Sequence, residues 1–332
     1  MIPGLGHLAQ LWIGIESSYG DGNVNPGNTL EIVSWNVQPT IGVIPDPSLY
    51  NKSSRRALYP GGFTVRGTFV VRLNYEGLLE LFRGVFGAYS ATLVGGETLV
   101  RDHVFKEGST LPSYEIQISA GDIPTGKVFQ LLGAKLINLT VRGTAGNGND
   151  AMLLAEFTVL AKDMVSNFTG TGIGSFPNPL PVMFHECTTA DDGTADASSN
   201  IRLRGIEVSL ENPHTEDRYF FGSKNIDEPL RADFLTARFR LTQEFATKTQ
   251  YDAARAFTNG SPQLIFKRAG TIGNASQREF ELRANSANLV DYSAPIESYG
   301  IIISTATWEA FYNVGDASAL VARMRSIETA LP

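Results

Sequence analysis

The sequence predicts a mainly β chain of two tandem domains, each with one flanking α-helix, and a further helix at the C-terminus. Three observations predict it. A strand that runs straight into an amphipathic helix occurs twice, at residues 63–87 and again at 239–260, so that Tyr75 matches Tyr251, Glu76 matches Asp252 and Gly84 matches Gly260. The 33 glycines and 16 prolines fall among short alternating apolar runs, the pattern of strands and turns rather than of helical bundles. At 167–181 (NFTGTGIGSFPNPLP) Gly, Pro and Thr replace the strand pattern, which marks a linker over 169–181 between domains 1–168 and 182–332.

Short strands are expected at 12–17 and 30–37, followed by a long connection at 38–62. It mixes Ile41, Val43, Ile44, Leu49, Tyr50, Leu58 and Tyr59 with Lys52, Arg55 and Arg56, too apolar for a disordered linker. It either folds back on its own domain or docks on a neighbouring subunit. Next, Phe63, Val65, Phe69, Val71 and Leu73 share one face of a period-two pattern and Thr64, Arg66, Thr68 and Arg72 the other. Helical spacing takes over after Asn74, an apt cap, with Leu78, Leu79, Phe82, Val85 and Phe86 on one side, until Gly87. Strands follow at 99–105, 114–119, 127–142 and 152–161.

The second half repeats the plan. A strand at 206–210 puts Glu207 and Val208 opposite Glu31 and Ile32 of the first copy, and a second long connection, 211–228, carries His214, Arg218, Tyr219, Phe220 and Phe221. After the strand of Phe239, Leu241 and Phe245, Thr249 caps a helix, and strands recur at 263–267, 279–283, 288–292 and 299–306. Beyond Asp316, the spacing of Leu320, Met324, Ile327 and Leu331 predicts a closing helix.

With 332 residues, 42% of them hydrophobic, the chain can bury two cores. A net charge of -7 argues against tight reading of nucleic acid, which needs a basic surface. One cysteine, Cys187, excludes an intrachain disulfide, and with 4 histidines no Cys/His metal cluster is indicated. No apolar run approaches the roughly 20 residues of a membrane helix, and the first residues lack the pattern of a signal peptide.

Catalytic motifs fail on inspection. Residues 121–128 match a phosphate-binding loop except that Val128 stands where a Ser or Thr hydroxyl must hold Mg²⁺, and a strand rather than a helix follows. His103 has no partner motif. His185, Glu186 and Cys187 are consecutive, and neighbours on a strand point to opposite faces, so they make a poor triad. Asp191, Asp192 and Asp196 fall in a Gly/Ser/Ala-rich stretch without other catalytic groups. No cofactor is expected.

The order of these residues resembles the tail tube proteins of long-tailed bacteriophages. The similarity rests on Trp12-Ile13-Gly14-Ile15-Glu16-Ser17-Ser18-Tyr19-Gly20, the arginine-bearing loop to Pro60-Gly61-Gly62, the Gly67 strand and the helix of Glu76 to Gly87. It continues through His103-Val104-Phe105, Leu111-Pro112-Ser113 and the strand at 133–141. The resemblance implies antiparallel β-sandwich or half-barrel domains with no enzymatic role. It implies a homo-oligomer stacked as rings into a tube with an acidic lumen crossed by DNA without specific binding, other tail proteins such as terminator and tip as partners, and no membrane. It further implies a place in the virion tail after synthesis in the host cytoplasm. Two domains per chain then imply trimeric, pseudo-hexameric rings. The two long connections become the contact candidates between rings or subunits: Ile44, Leu49, Tyr50, Arg55, Arg56 and Tyr59, then Arg218, Tyr219, Phe220 and Phe221. A carbohydrate-binding, adhesin-like β-sandwich is the alternative; it requires an exposed aromatic cluster.

Overall fold

The computed structural model describes residues 9–22, 28–48, 51–120, 128–148, 151–168, 180–191, 202–245, 248–296 and 299–331. The first half holds β1 (Ala9–Ile15), β2 (Asn28–Leu30), β3 (Ile32–Pro45), β4 (Leu58–Arg72), α1 (Leu79–Phe86) and β5 (Gly87–Leu93). It continues with β6 (Arg101–Glu107), β7 (Tyr114–Ala120), β8 (Val128–Thr144), β9 (Leu154–Ala161) and β10 (Asp163–Phe168). The second holds β11 (Cys187–Asp191), β12 (Leu203–Glu211), β13 (Thr236–Glu244), α2 (Thr249–Arg255), β14 (Asn259–Gly260), β15 (Gln263–Ile272), β16 (Ser276–Arg283), β17 (Ala287–Ser293), β18 (Ile303–Ala310) and β19 (Val321–Ser326). The chain is mainly β, with 57% of it in strands that pair antiparallel into open sheets, in the manner of a β-sandwich.

Two sheets face each other. In the larger, 13-stranded sheet the order β3-β4-β9-β8 is followed directly by β12-β13-β18-β17, the same four-strand unit set head to tail. The joint is the antiparallel pair β8–β12, from Asn138 opposite Glu211 to Thr144 opposite Gly205. The smaller, 6-stranded sheet runs β11-β15-β16-β19-β6-β5 and so draws strands from both halves.

β-Bulges fix how the two units superpose. In β8 the register slips at Ile137, and in β17 it slips at Val290. Matching these positions places β9 on β18 with Val159 on Trp308, then β4 on β13 with Val65 on Ala237 and Phe69 on Leu241. Carried one strand further, it lays the bulge at Val33 of β3 on the bulge at Arg204 of β12. Two independent irregularities therefore coincide, because a bulge is a fixed local kink that a fold retains.

This superposition corrects the alignment expected from sequence. Asn36, not Glu31, faces the position of Glu207. Tyr75 is fully buried ahead of α1, whereas Tyr251 lies half exposed on α2, and Gly84 is helical while Gly260 is in a strand. Apolar alternation tolerates a shift of a few residues without penalty, so the pattern alone could not set the register. Asn74 does not cap α1. Gly77 holds a φ of 86°, which interrupts any helix begun at Asn74, and the helix starts after Leu78 and ends at Gly87, φ 90°.

The C-terminal helix is also corrected: this segment is strand β19. Ala322, Met324 and Ser326 point inward while Arg323 and Arg325 point out, and β19 fills the gap between β16 and β6. Two open sheet edges offering backbone partners outweigh a helical spacing carried by four residues. Ala317 has a φ of 55° in the turn that leads into it, and Asp316 accepts from Arg283 and Asn285 instead of capping a helix.

A single continuous core replaces the two expected. Phe82 of α1 meets Phe86, Phe105 and Phe157 of its own half and Phe280 of the other, and the buried cluster runs from Leu11 to Met324. Each fully buried phenylalanine contributes roughly 1.5–3 kcal/mol. The linker expected at 169–181 lies almost wholly outside the described residues; its last two residues are ordered, with Tyr75 N–H donating to Leu180 O and Val182 N–H to Leu73 O.

Candidate functional site

One face of the large sheet covers the core and the other is open, because side chains alternate along each strand. The open face carries cross-strand rows. One runs Thr68, Thr158, Asn138, Glu211, Thr236, and the next Val70, Glu156, Thr140, Ser209, Arg238, Glu309, Asn288. A third runs Arg72, Leu154, Arg142, Glu207, Arg240, Thr307, Asp291. The face is short, polar and of mixed charge. Its arginines are matched by carboxylates: Arg142 with Glu156 at 3.7 Å, Arg238 with Glu309 at 3.0 Å, Arg66 with Glu216, Arg72 with Glu31 and Arg204 with Glu244. At the joint of the two units it dips into a hollow of about 400 Å³ edged by Arg142, Glu207 and Arg240 and lined by no aromatic ring.

The two ends of this sheet are unfinished. Among the described residues β3 pairs only with β4, and β17 has β18 on one side and, on the other, only the two residues of β14 at its start. Pro39 in β3 and Pro295 just past β17 stand at these edges, where a missing N–H is tolerated and discourages indiscriminate strand addition.

The connection expected as a loop at 38–62 is largely a two-stranded arm, an extension of β3 and β4 in which Val43, Ile44 and Pro45 face Pro60, Tyr59 and Leu58. Ile41, Val43, Ile44, Leu58 and Tyr59 are all more than half exposed, and Arg55 and Arg56 lie exposed at its tip. Leu49 and Tyr50 lie outside the described residues.

The second connection behaves differently: it folds sideways onto the first half. Ile226 is buried with Ile137 and Leu160; Lys135, itself buried, donates to Glu228 at 2.7 Å; Phe63 N–H donates to Lys224 O at 2.7 Å; and Asn225 donates to Asp163 at 3.0 Å. Arg218 is held by Asp227 at 3.2 Å and by Glu228 O, and Tyr219 lies against Gly62, which has no room for a Cβ. Phe220 and Phe221 remain exposed at the tip. Of the sequence-expected contact residues, Arg218 and Tyr219 are thus brought into the chain's own structure, while Ile44, Tyr59, Phe220 and Phe221 face outward.

Residues that sequence reading missed lie at the β17 end. Val290, Phe311, Tyr312 and Phe234 form an exposed apolar patch where β13, β17 and β18 finish. Nothing in local spacing marks them, since their exposure follows from which strand lies last.

The groups weighed as catalytic have structural roles. His103 is buried with Nδ1 2.8 Å from Tyr89 Oη, and burial pulls its pKa down to about 4. Phe184–Glu186 is a 3-10 turn, not a strand; Glu186 accepts from Met183 N–H, Cys187 Sγ donates to Thr189 O, and burial pushes the thiol up to about 11. Residues 121–127, Asp192 and Asp196 lie outside the described residues.

No curated protein matches this chain. A family model described as phage tail tube protein matches residues 6–310.

Proposed function

The chain belongs to the phage tail tube protein family, and from that premise we propose that three copies close into a ring of six sheet units that stacks into a non-enzymatic conduit for DNA in the virion tail. The observation that carries this is the head-to-tail repeat β3-β4-β9-β8, β12-β13-β18-β17. A head-to-tail contact propagates until rotation closes it. The internal joint β8–β12 then serves as the pattern for the contact between copies, in which the free edge of β17 pairs with β3 of the next chain. By the bulge superposition Asp291 falls opposite Thr40 and Ser293 opposite Gln38. Closure also removes both exposed edges. On this reading 1–168 and 182–332 are two tail-tube-like units.

The open face of the large sheet lines the channel. Its carboxylates, Glu156, Glu207, Glu211, Glu244, Asp291 and Glu309, stand among Arg66, Arg72, Arg142, Arg204, Arg238 and Arg240. An acidic lumen in this protein is therefore a carboxylate-balanced one, where each phosphate meets no sustained positive field as the duplex slides. The arm and the Phe220–Phe221 tip supply further contacts between copies, and terminator and tip proteins complete the tail.

Light scattering coupled to size exclusion, followed by negative-stain microscopy of concentrated protein, tests this. Trimers or multiples of three and tubes about 80–100 Å wide are expected, the span of two domain diameters and a lumen. A chain that stays monomeric in every condition overturns it.

A further inference from the structure

Ile137 and Val290 are the same bulge position in the two sheet units, yet Ile137 is 3% exposed and Val290 is 44% exposed. The difference has a visible cause. Ile137 is covered by Ile226, carried by the connection between β12 and β13, and the same connection also engages Lys135, Phe63 and Asp163. In the second unit those positions are Asn288, Leu235 and Tyr312, and beside Tyr312 stand Phe311, in the place of Lys162, and Phe234. Glu309 takes the place of Leu160, whereas Tyr312, 57% exposed, and Phe234, 88% exposed, put aromatic surface where the first unit has Asp163 and Gly62.

We propose that this surface receives the β3–β4 arm of the neighbouring copy within the same ring. The inference rests on the ring reading above and adds to it where the arm goes. The connection from β12 to β13 covers the unit that β12 pairs with. The connection from β3 to β4 holds the equivalent place in the first unit, so it covers the unit that β3 pairs with, which is the second unit of the next chain. Ile41, Val43, Ile44, Leu58 and Tyr59 supply the apolar surface that Val290, Phe311, Tyr312 and Phe234 lack. Charge agrees: exposed Lys52, Arg55 and Arg56 at the arm tip approach the side that carries exposed Asp233 and Asp291. The arm extends about 20 Å past Pro39 and Val65, the last pair shared with β9, at some 3.3 Å per residue. Gly42 is a bulge residue lying against Gly61 and Gly62, and a Cβ on Gly42 would come within 3.2 Å of Gly62 N. Sideways docking distinguishes this arm from one that only reaches to the ring above or below.

The test uses the full chain with Cys187→Ser and two introduced cysteines, Ile44→Cys and Tyr312→Cys, treated with a short bismaleimide, and resolved single rings apart from stacked tubes. Covalent dimers and trimers in isolated rings, with the Ile44–Tyr312 linkage identified by mass spectrometry and absent from each single-cysteine chain, are expected. In a chain without introduced cysteines, Val290→Asp should weaken ring formation at least tenfold in the concentration needed. Intact rings that show no such linkage, or that link only once stacked, overturn the lateral arm while leaving the ring reading standing. Failure of the unsubstituted chain to form rings at all overturns both.

Discussion

Phe82 of α1 and Phe280 of β16 meet edge to face with ring centroids 5.8 Å apart, joining a helix of the first half to a strand of the second. This contact lies within one core shared by both halves. Phe82→Ala should therefore cost about 3–5 kcal/mol and do so for both halves together. Urea unfolding followed through Trp35 in one half and Trp308 in the other, each as the sole remaining tryptophan, should give coincident transitions. Separate midpoints would show two independent cores.

A buried carboxyl makes stability depend on pH. Glu328 accepts from Gly77 N–H at 2.9 Å, and burial pushes its pKa up from 4.5 to about 7, with Glu76 nearby adding repulsion. The folded chain thus holds this proton more tightly than the unfolded chain. Its contribution is fully present below pH 4.5 and is lost as pH rises through 7, on the order of 1–3 kcal/mol. Glu328→Gln should flatten that fall in denaturant midpoints between pH 5 and 8, about the range of the cited shift. Glu97 titrates elsewhere: hydrogen bonds from Asn274, Ala275 and Ser276 pull it down to about 2, so its contribution disappears only as pH falls through that value.

Removing carboxylates from the open face should create adhesion to DNA. With Glu156→Gln, Glu207→Gln and Glu309→Gln together, Arg142, Arg240 and Arg238 lose their neighbouring negative charge. Assembled tubes should then retain duplex DNA at low salt, with log affinity falling by about 0.9 per log unit of salt for each phosphate engaged. Fluorescence anisotropy on purified tubes reads this; unchanged weak binding would place the face away from the DNA path.

Strand β19 should be indispensable although it lies beyond the residues matched to the family. Met324 is fully buried between Phe280 and His103, and Arg325 donates to Asp102 at 2.7 and 3.0 Å. Met324→Ala should cost about 2–5 kcal/mol, measured by thermal or urea unfolding; an unchanged midpoint would show that β19 is not part of the core.

Sequence reading located the strands well wherever polar and apolar residues alternate against a core, as with Val65, Phe69 and Val71, or the sequential strands from Gln263 onward. It placed α1 and α2 to within a turn. It failed where long-range partners decide. Leu320, Met324 and Ile327 are spaced for a helix, but the facing edges of β16 and β6 exist only in three dimensions. The register between the two four-strand units was not legible, because bulges at Val33, Ile137, Arg204 and Val290 leave no mark in composition. The apolar residues of the arm, such as Ile44 and Tyr59, could be singled out from sequence because they fall in a long connection. The patch of Val290, Phe311 and Tyr312 could not, because its significance comes from comparing two folded units.

In the proposed assembly the repeated sheet unit becomes a closed ring of three chains. End-on images of the assembled tube, classified and averaged without imposed symmetry, test it most directly, together with the mass of one ring by native mass spectrometry. Threefold symmetry with a strong sixfold component at the inner wall is expected, and a ring mass of three 36.0 kDa chains. An inner wall of any other order, or a ring built from six chains, would contradict it.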